Sequence, residues 1–78
     1  MKERAVERLV ETHLLSDLEE AKDALVQGED AKMNLPGITP GEKLAYLAAA
    51  IWIVEKIKLD KIEFKAAYDA YQQEIKEI

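Results

Sequence analysis

The stretch that decides the fold is Thr39-Pro40-Gly41-Glu42-Lys43-Leu44-Ala45-Tyr46-Leu47-Ala48-Ala49-Ala50-Ile51-Trp52-Ile53-Val54. Its first four residues spell a helix start. Thr is a preferred N-cap, and Pro suits the first helical position because the N–H it lacks would be unpaired there anyway. Glu42, three residues after the cap, completes a capping box by reaching back to the cap amide. From Leu44 to Val54 there is no charge for eleven residues, against the roughly 20 apolar residues needed to span a bilayer. The run therefore reads as a buried helix, about 40–58, apolar almost all round and so covered on more than one side.

At about 100° per residue this helix has two unlike faces. Leu44, Leu47, Ile51 and Val54 take one side, and Ala45, Ala48, Ala49 and Trp52 lie roughly opposite. Large aliphatics fill a core, whereas a strip of alanines lets another backbone come close, with Trp52 as an anchor at its edge. The candidate contact surface is accordingly Ala45, Tyr46, Ala48, Ala49, Trp52 and Ile53, facing another helix of this chain, a second copy, or a different protein.

Toward the C-terminus, Leu59-Asp60-Lys61 makes a tight connection, and Asp60 with Glu63 repeats the capping pattern ahead of a helix at about 61–77. A short link makes the two helices antiparallel neighbours. Phe64, Tyr68, Tyr71, Ile75 and Ile78 follow at spacings of four, three, four and three, a heptad seam with Ala67 beside it, suited to packing on the preceding helix.

Toward the N-terminus lies a connection at 28–39, opened by a helix-ending Gly28 and turned at Pro36-Gly37. Its apolar residues Met33, Leu35 and Ile38 are expected to lid the open end of the core. Before it, Lys2 to Gln27 holds no Gly or Pro, and Val6, Leu9, Val10, Leu14, Leu18, Ala21 and Leu25 recur at mostly helical spacing. That pattern predicts one helix at about 2–27, with the alternative that Ser16-Asp17-Leu18-Glu19, a second capping box in its middle, splits the segment near Leu15. A helix of 26 residues is about 39 Å long and one of 19 about 29 Å. The excess leaves part of the first stripe for a second chain to cover.

The composition supports this reading. Of 78 residues, 49% are hydrophobic and 35% charged, too apolar for disorder and too charged for a membrane protein. Three Gly and two Pro against eleven Ala and eleven Glu favour helix over strand. The expected fold is all-α: a single domain over 1–78, a small three-helix bundle completed as a homodimer. A domain this short buries only about 60% of its unfolded surface, and with no cysteine it has no disulfide to add stability, so association is the natural supplement. The N-terminal residues lead into no apolar segment of the kind a signal peptide needs, and the lack of cysteine fits a reducing compartment, so the expected location is the cytoplasm.

No motif carries chemistry. One His and no Cys make a structural zinc site a poor fit, and Glu29, Asp30 and Asn34 fail as a calcium loop because Leu35 stands where the turn needs Gly. Gly28, Gly37 and Gly41 match no phosphate-binding loop. Lys58, Lys61 and Lys65 alternate with Asp60, Glu63 and Asp69, which argues against nucleic-acid binding. His13 and Asp17, four apart and near Glu20, have the spacing of a base and its orienter. They lack a nucleophile, since Ser16 points to another side of the helix, so a structural or surface ion pair is the simpler expectation.

The net charge of −5 is carried by the first third of the chain, where residues 1–30 hold nine acidic and four basic side chains. Glu3, Glu7, Glu11, Glu19, Glu20 and Asp23 form an acidic surface interrupted by Arg4, Arg8 and Lys22. No catalytic residue, metal ligand or cofactor is expected, and the partner is a second copy or another protein rather than nucleic acid or membrane. By elimination the expected function is that of a non-enzymatic helical regulatory or assembly protein. The alternatives are an acidic decoy for a nucleic-acid-binding protein and a small enzyme using His13 and Asp17.

Overall fold

A computed structural model describes residues 1–76. Four helices follow in chain order: α1 Glu3–Thr12, α2 Leu15–Val26, α3 Pro40–Asp60 and α4 Phe64–Lys76. With 21 residues α3 is about 31 Å long, which matches the longest dimension of the molecule, 32 Å. Every substantial helix–helix contact has α3 as one member: α1, α2 and α4 each pack on it. Among the described residues no helix is long and apolar enough to cross a membrane.

The start of α3 is fixed by its neighbours in sequence. The Thr39 hydroxyl accepts the Glu42 N–H at 3.2 Å. The Glu42 carboxylate accepts the N–H of Ile38 at 3.1 Å, one residue before the cap amide that the capping box implies. Gly37 makes the tight approach possible. Its φ is +104°, and a Cβ there would stand 2.9 Å from the Cβ of Glu42 and 3.2 Å from the backbone of Glu42 and Lys43. At the other end Lys61 closes α3 in the left-handed conformation, φ 54° and ψ 46°, donating its N–H to the Ile57 carbonyl at 2.8 Å.

The N-terminal segment is two helices, not one. His13 and Leu14 are extended, with φ/ψ of −127°/148° and −76°/155°, and separate α1 from α2 without help from Gly or Pro. The reason lies in the direction of the apolar residues. In one continuous helix Val6 and Leu9 would face about 120° away from Leu18, Ala21 and Leu25. The break lets Val6, Leu9, Leu18 and Ala21 all enter the same core. Thr12, the last residue of α1, donates its hydroxyl to the Arg8 carbonyl at 2.6 Å, a backward bond that satisfies the final turn locally. The break falls two residues before Ser16, and Leu14 at the cap of α2 makes no side-chain capping bond. The bundle therefore has four helices instead of three, and the overlong first helix that called for a second chain does not exist.

Gly28 ends α2 with φ +82°. Its N–H reaches the Leu25 carbonyl at 3.1 Å and that of Glu29 reaches Ala24 at 2.8 Å, the paired bonds of a Schellman motif. In the crossover that follows, Ala31, Met33 and Leu35 pack on the core. Ile38 does not join them: it is 88% exposed. After Lys61 the chain turns back, with Ile62 against the core and the Glu63 carbonyl accepting the Ala67 N–H at 3.1 Å, so Glu63 rather than Asp60 precedes the first turn of α4. Ala67 and Tyr68 are buried, and Trp52 of α3 meets Tyr71 with ring centroids 5.4 Å apart. Ile75, 43% exposed, lies at the margin, and Ile78 falls outside the described residues.

The core is held by apolar burial alone, since no polar or charged residue among the described ones is buried. Leu18, Leu47, Ile53 and Val6 are its largest fully buried members, each stabilising the fold by about 1.5–3 kcal/mol. The ion pairs are exposed: Lys56 with Asp60 at 2.6 Å, and Lys65 with Glu3 at 3.2 Å and Asp69 at 3.4 Å. The hydrogen bond to Glu3, then that to Asp69, holds the Lys65 ammonium above its ordinary pKa. Such pairs add little to stability in water, but Glu3 to Lys65 does link α1 to α4.

Two glycines and one lysine test this account. Gly28→Ala meets no atom within 4 Å and is expected to cost about 1 kcal/mol through its left-handed φ alone. Gly37→Ala adds the collision with Glu42 and is expected to cost at least about 2 kcal/mol in urea unfolding. Lys61→Gly relieves a strained φ and is expected to stabilise by about 0.5–1 kcal/mol.

Candidate functional site

The three helices packed on α3 do not enclose it. At about 100° per residue, Gly41, Ala45, Ala48, Trp52, Glu55 and Leu59 lie within an arc of about 80°. All are exposed except Trp52, which is half-buried, and Leu59 is 84% exposed. The rest of the helix circumference carries the core residues Leu47, Ala49, Ala50, Ile51, Ile53 and Val54. Trp52 lies within the open strip, its ring 5.4 Å from that of Tyr71 of α4 and 5.9 Å from the ammonium of Lys56, measured to the centroid.

This placement divides the six contact candidates read from the sequence. Ala45 and Ala48 are on the surface, and Trp52 is partly so. Ala49 and Ile53 are 0% exposed within the single chain and belong to its core. Tyr46 is half-buried, and its hydroxyl accepts the backbone N–H of Lys2 at 3.0 Å, tying the start of the chain to α3. The alanines thus serve two purposes. Ala49 and Ala50 bring packed helices close, while Ala45 and Ala48 face outward.

A second feature comes from the angle between α1 and α2, which the crossover partly fills. On the α2 side a cleft of about 500 Å³ gathers Asp17, Glu20, Asp23, Glu29 and Asp30, with His13 and Lys32 at its margin. On the α1 side a groove of about 880 Å³ is rimmed by Arg4, Arg8 and Lys32 over Leu9, Met33, Leu35 and Pro36. Two oppositely charged hollows therefore flank residues 32–33, and His13 touches both. Sequence spacing does not reveal this grouping, because it unites residues of α1 and α2 with a loop on either side of the helix break.

His13 and Asp17 line the same cleft, but no hydrogen bond or ion pair joins them among the described residues. The extended backbone at His13 removes the helical spacing that would have paired them. No group of three or more His, Cys, Asp and Glu side chains among the described residues has the arrangement of a metal site. Glu3, Glu7 and Glu11 are carried by α1, whereas Glu19, Glu20 and Asp23 are carried by α2, so the acidic surface is divided at the break.

Comparison with known proteins adds one finding. A family described as a family of unknown function (DUF6952) matches residues 1–77. The chain belongs to that family. The match spans all four helices of the chain. No curated protein matches the chain, and no solved structure does.

Adjacent alanines separate surface from core. At concentrations low enough for both proteins to be single chains, Ala48→Glu is expected to leave thermal unfolding within about 0.5 kcal/mol of the parent, as exposed substitutions do. Ala49→Glu buries an unpaired carboxylate and is expected to cost more than about 3 kcal/mol, read as loss of helical circular dichroism at ambient temperature.

Proposed function

We propose that the protein is a non-enzymatic interaction module, a regulatory or assembly protein that works by presenting a helical surface to another chain, a second copy included. The observation that carries this reading is the open strip on α3. A helix that is otherwise the centre of the core exposes Ala45, Ala48, the edge of Trp52 and Leu59 on its remaining face. Alanines on that face allow close backbone approach, and a tryptophan at its edge offers the kind of side chain that dominates binding energy at protein interfaces. Self-association through this strip, giving a homodimer, is the simplest form of the proposal.

The chain holds one tryptophan, so its fluorescence reports on the strip directly. Absolute molar mass by light scattering over a hundredfold range of concentration is expected to rise from one chain toward two. The Trp52 emission is expected to shift to shorter wavelength in parallel. Ala48→Glu should hold the mass at 8.8 kDa at every concentration without loss of helix. A dimer that persisted in Ala48→Glu would show that the strip is not the contact.

A second reading is favoured by the acidic cleft. Five carboxylates from α2 and residues 29–30 line one hollow, and such a surface suits a decoy that occupies the basic groove of a nucleic-acid-binding protein. Binding of that kind is expected to weaken at least ten-fold between about 0.05 and 0.3 M salt and to be abolished by Glu20→Lys with Asp23→Lys. Contact through the α3 strip is expected to depend little on salt and to survive those two changes.

A further inference from the structure

We infer that the open strip of α3 is the seam between two antiparallel copies of this chain, in a register centred on position 50. The inference rests on the reading of the strip as a contact surface and adds its occupant, direction and register. The six positions 41, 45, 48, 52, 55 and 59 follow at spacings of four, three, four, three and four, the pattern of a helix–helix seam. Their sizes are not mixed at random. The N-terminal half is small, Gly41, Ala45 and Ala48, and the C-terminal half is large, Trp52, Glu55 and Leu59.

A two-fold contact is self-complementary: whatever residue meets a second residue, that second residue meets the first on the other side. An antiparallel pairing about position 50 sets Ala48 against Trp52, Ala45 against Glu55 and Gly41 against Leu59, and then repeats each pair in reverse. Every layer joins one small side chain to one large one. A parallel pairing in register would instead stack Trp52 on Trp52 and Gly41 on Gly41, crowding one end and leaving the other with nothing to pack. Glu55 is the charged member of the seam. Opposite Ala45 its aliphatic stem lies along the small side chain while its carboxylate stays at the wet rim.

Charge agrees with the same direction. Glu42 and Lys56 occupy equivalent positions beside the seam, two heptads apart on one flank. In an antiparallel pair like flanks face each other, which brings Glu42 of each copy to within about a turn of Lys56 of the other. The contact is thus closed by two equivalent pairs of opposite charge at its ends. Lys56, which already lies over Trp52 and bonds Asp60, is positioned at the edge of the seam to do so.

The absence of cysteine makes the register directly measurable. Ala45→Cys and Glu55→Cys change only exposed positions, and the two variants are mixed, oxidised and analysed by mass spectrometry, with light scattering at the same concentration. The mixed 45–55 disulfide is expected to form at least ten-fold faster than either like-with-like product. Like positions would be ten residues apart along the axis, about 15 Å, beyond the roughly 7 Å between Cα atoms that a disulfide spans. Rapid 45–45 and 55–55 products would mean a parallel pair and overturn the inference. A mass of two chains with none of these disulfides would overturn the register while leaving self-association in place. A mass of one chain throughout, without crosslinks, would overturn both.

Discussion

An apolar helix 21 residues long has to be covered along most of its circumference, and in this protein the covering of α3 organises everything else. α1, α2 and α4 each meet α3 and have their main contacts there. The core residues of α3, from Leu47 to Val54, are where the other elements converge. Small residues at Ala49 and Ala50 allow the packed backbones to come near, and Leu47 and Ile53 fill the space between them. Because no ion pair among the described residues is buried, the stability of the arrangement rests on area removed from water. A change in the volume or polarity of α3's buried arc is therefore felt by all three neighbours, whereas on its open arc it is Trp52 that packs on a neighbour, Tyr71 of α4.

The same constraint explains the least expected feature of the backbone. α1 and α2 both have to deliver apolar side chains to one post, and a single straight helix would point them in directions about 120° apart. Two extended residues, His13 and Leu14, cost a few helical hydrogen bonds and leave Leu14 71% exposed. In return four apolar residues, Val6, Leu9, Leu18 and Ala21, become buried in one core. The break has a second consequence. It opens an angle that the crossover enters, separating a carboxylate-rich cleft from a groove rimmed by arginine and lysine. The surface chemistry of the molecule is in this sense a by-product of how its core is filled.

What remains uncovered is as specific as what is packed. The open arc of α3 is neither polar, as a solvated face would be, nor uniformly large, as a core face would be. It grades from glycine and alanine near the N-terminus of the helix to tryptophan and leucine near its end. A face of that kind combines room for close backbone approach at one end with bulk at the other.

Much of the architecture was legible in local chemistry. The start of α3 at Thr39-Pro40, the stop of α2 at Gly28 and the aromatic repeat of α4 each depend on residues within a turn of one another. Their conformations follow from capping, from the freedom of glycine and from helical period. The helix break was legible only as the weaker alternative that the capping box at Ser16 offered, because 7 apolar residues at nearly helical spacing from Val6 to Leu25 satisfy the local rule for one continuous helix. Only the angle between the Val6–Leu9 and Leu18–Leu25 faces disagrees, and that angle has a meaning only once α3 is known to receive both. The division of the alanines is of the same kind. Sequence alone marks Ala45, Ala48 and Ala49 as places where a helix can come close, but which of them meets a helix of the same chain depends on where α1, α2 and α4 pack. Local interactions determined the helices, and the packing of three of them on a fourth decided which apolar residues became core and which stayed on the surface.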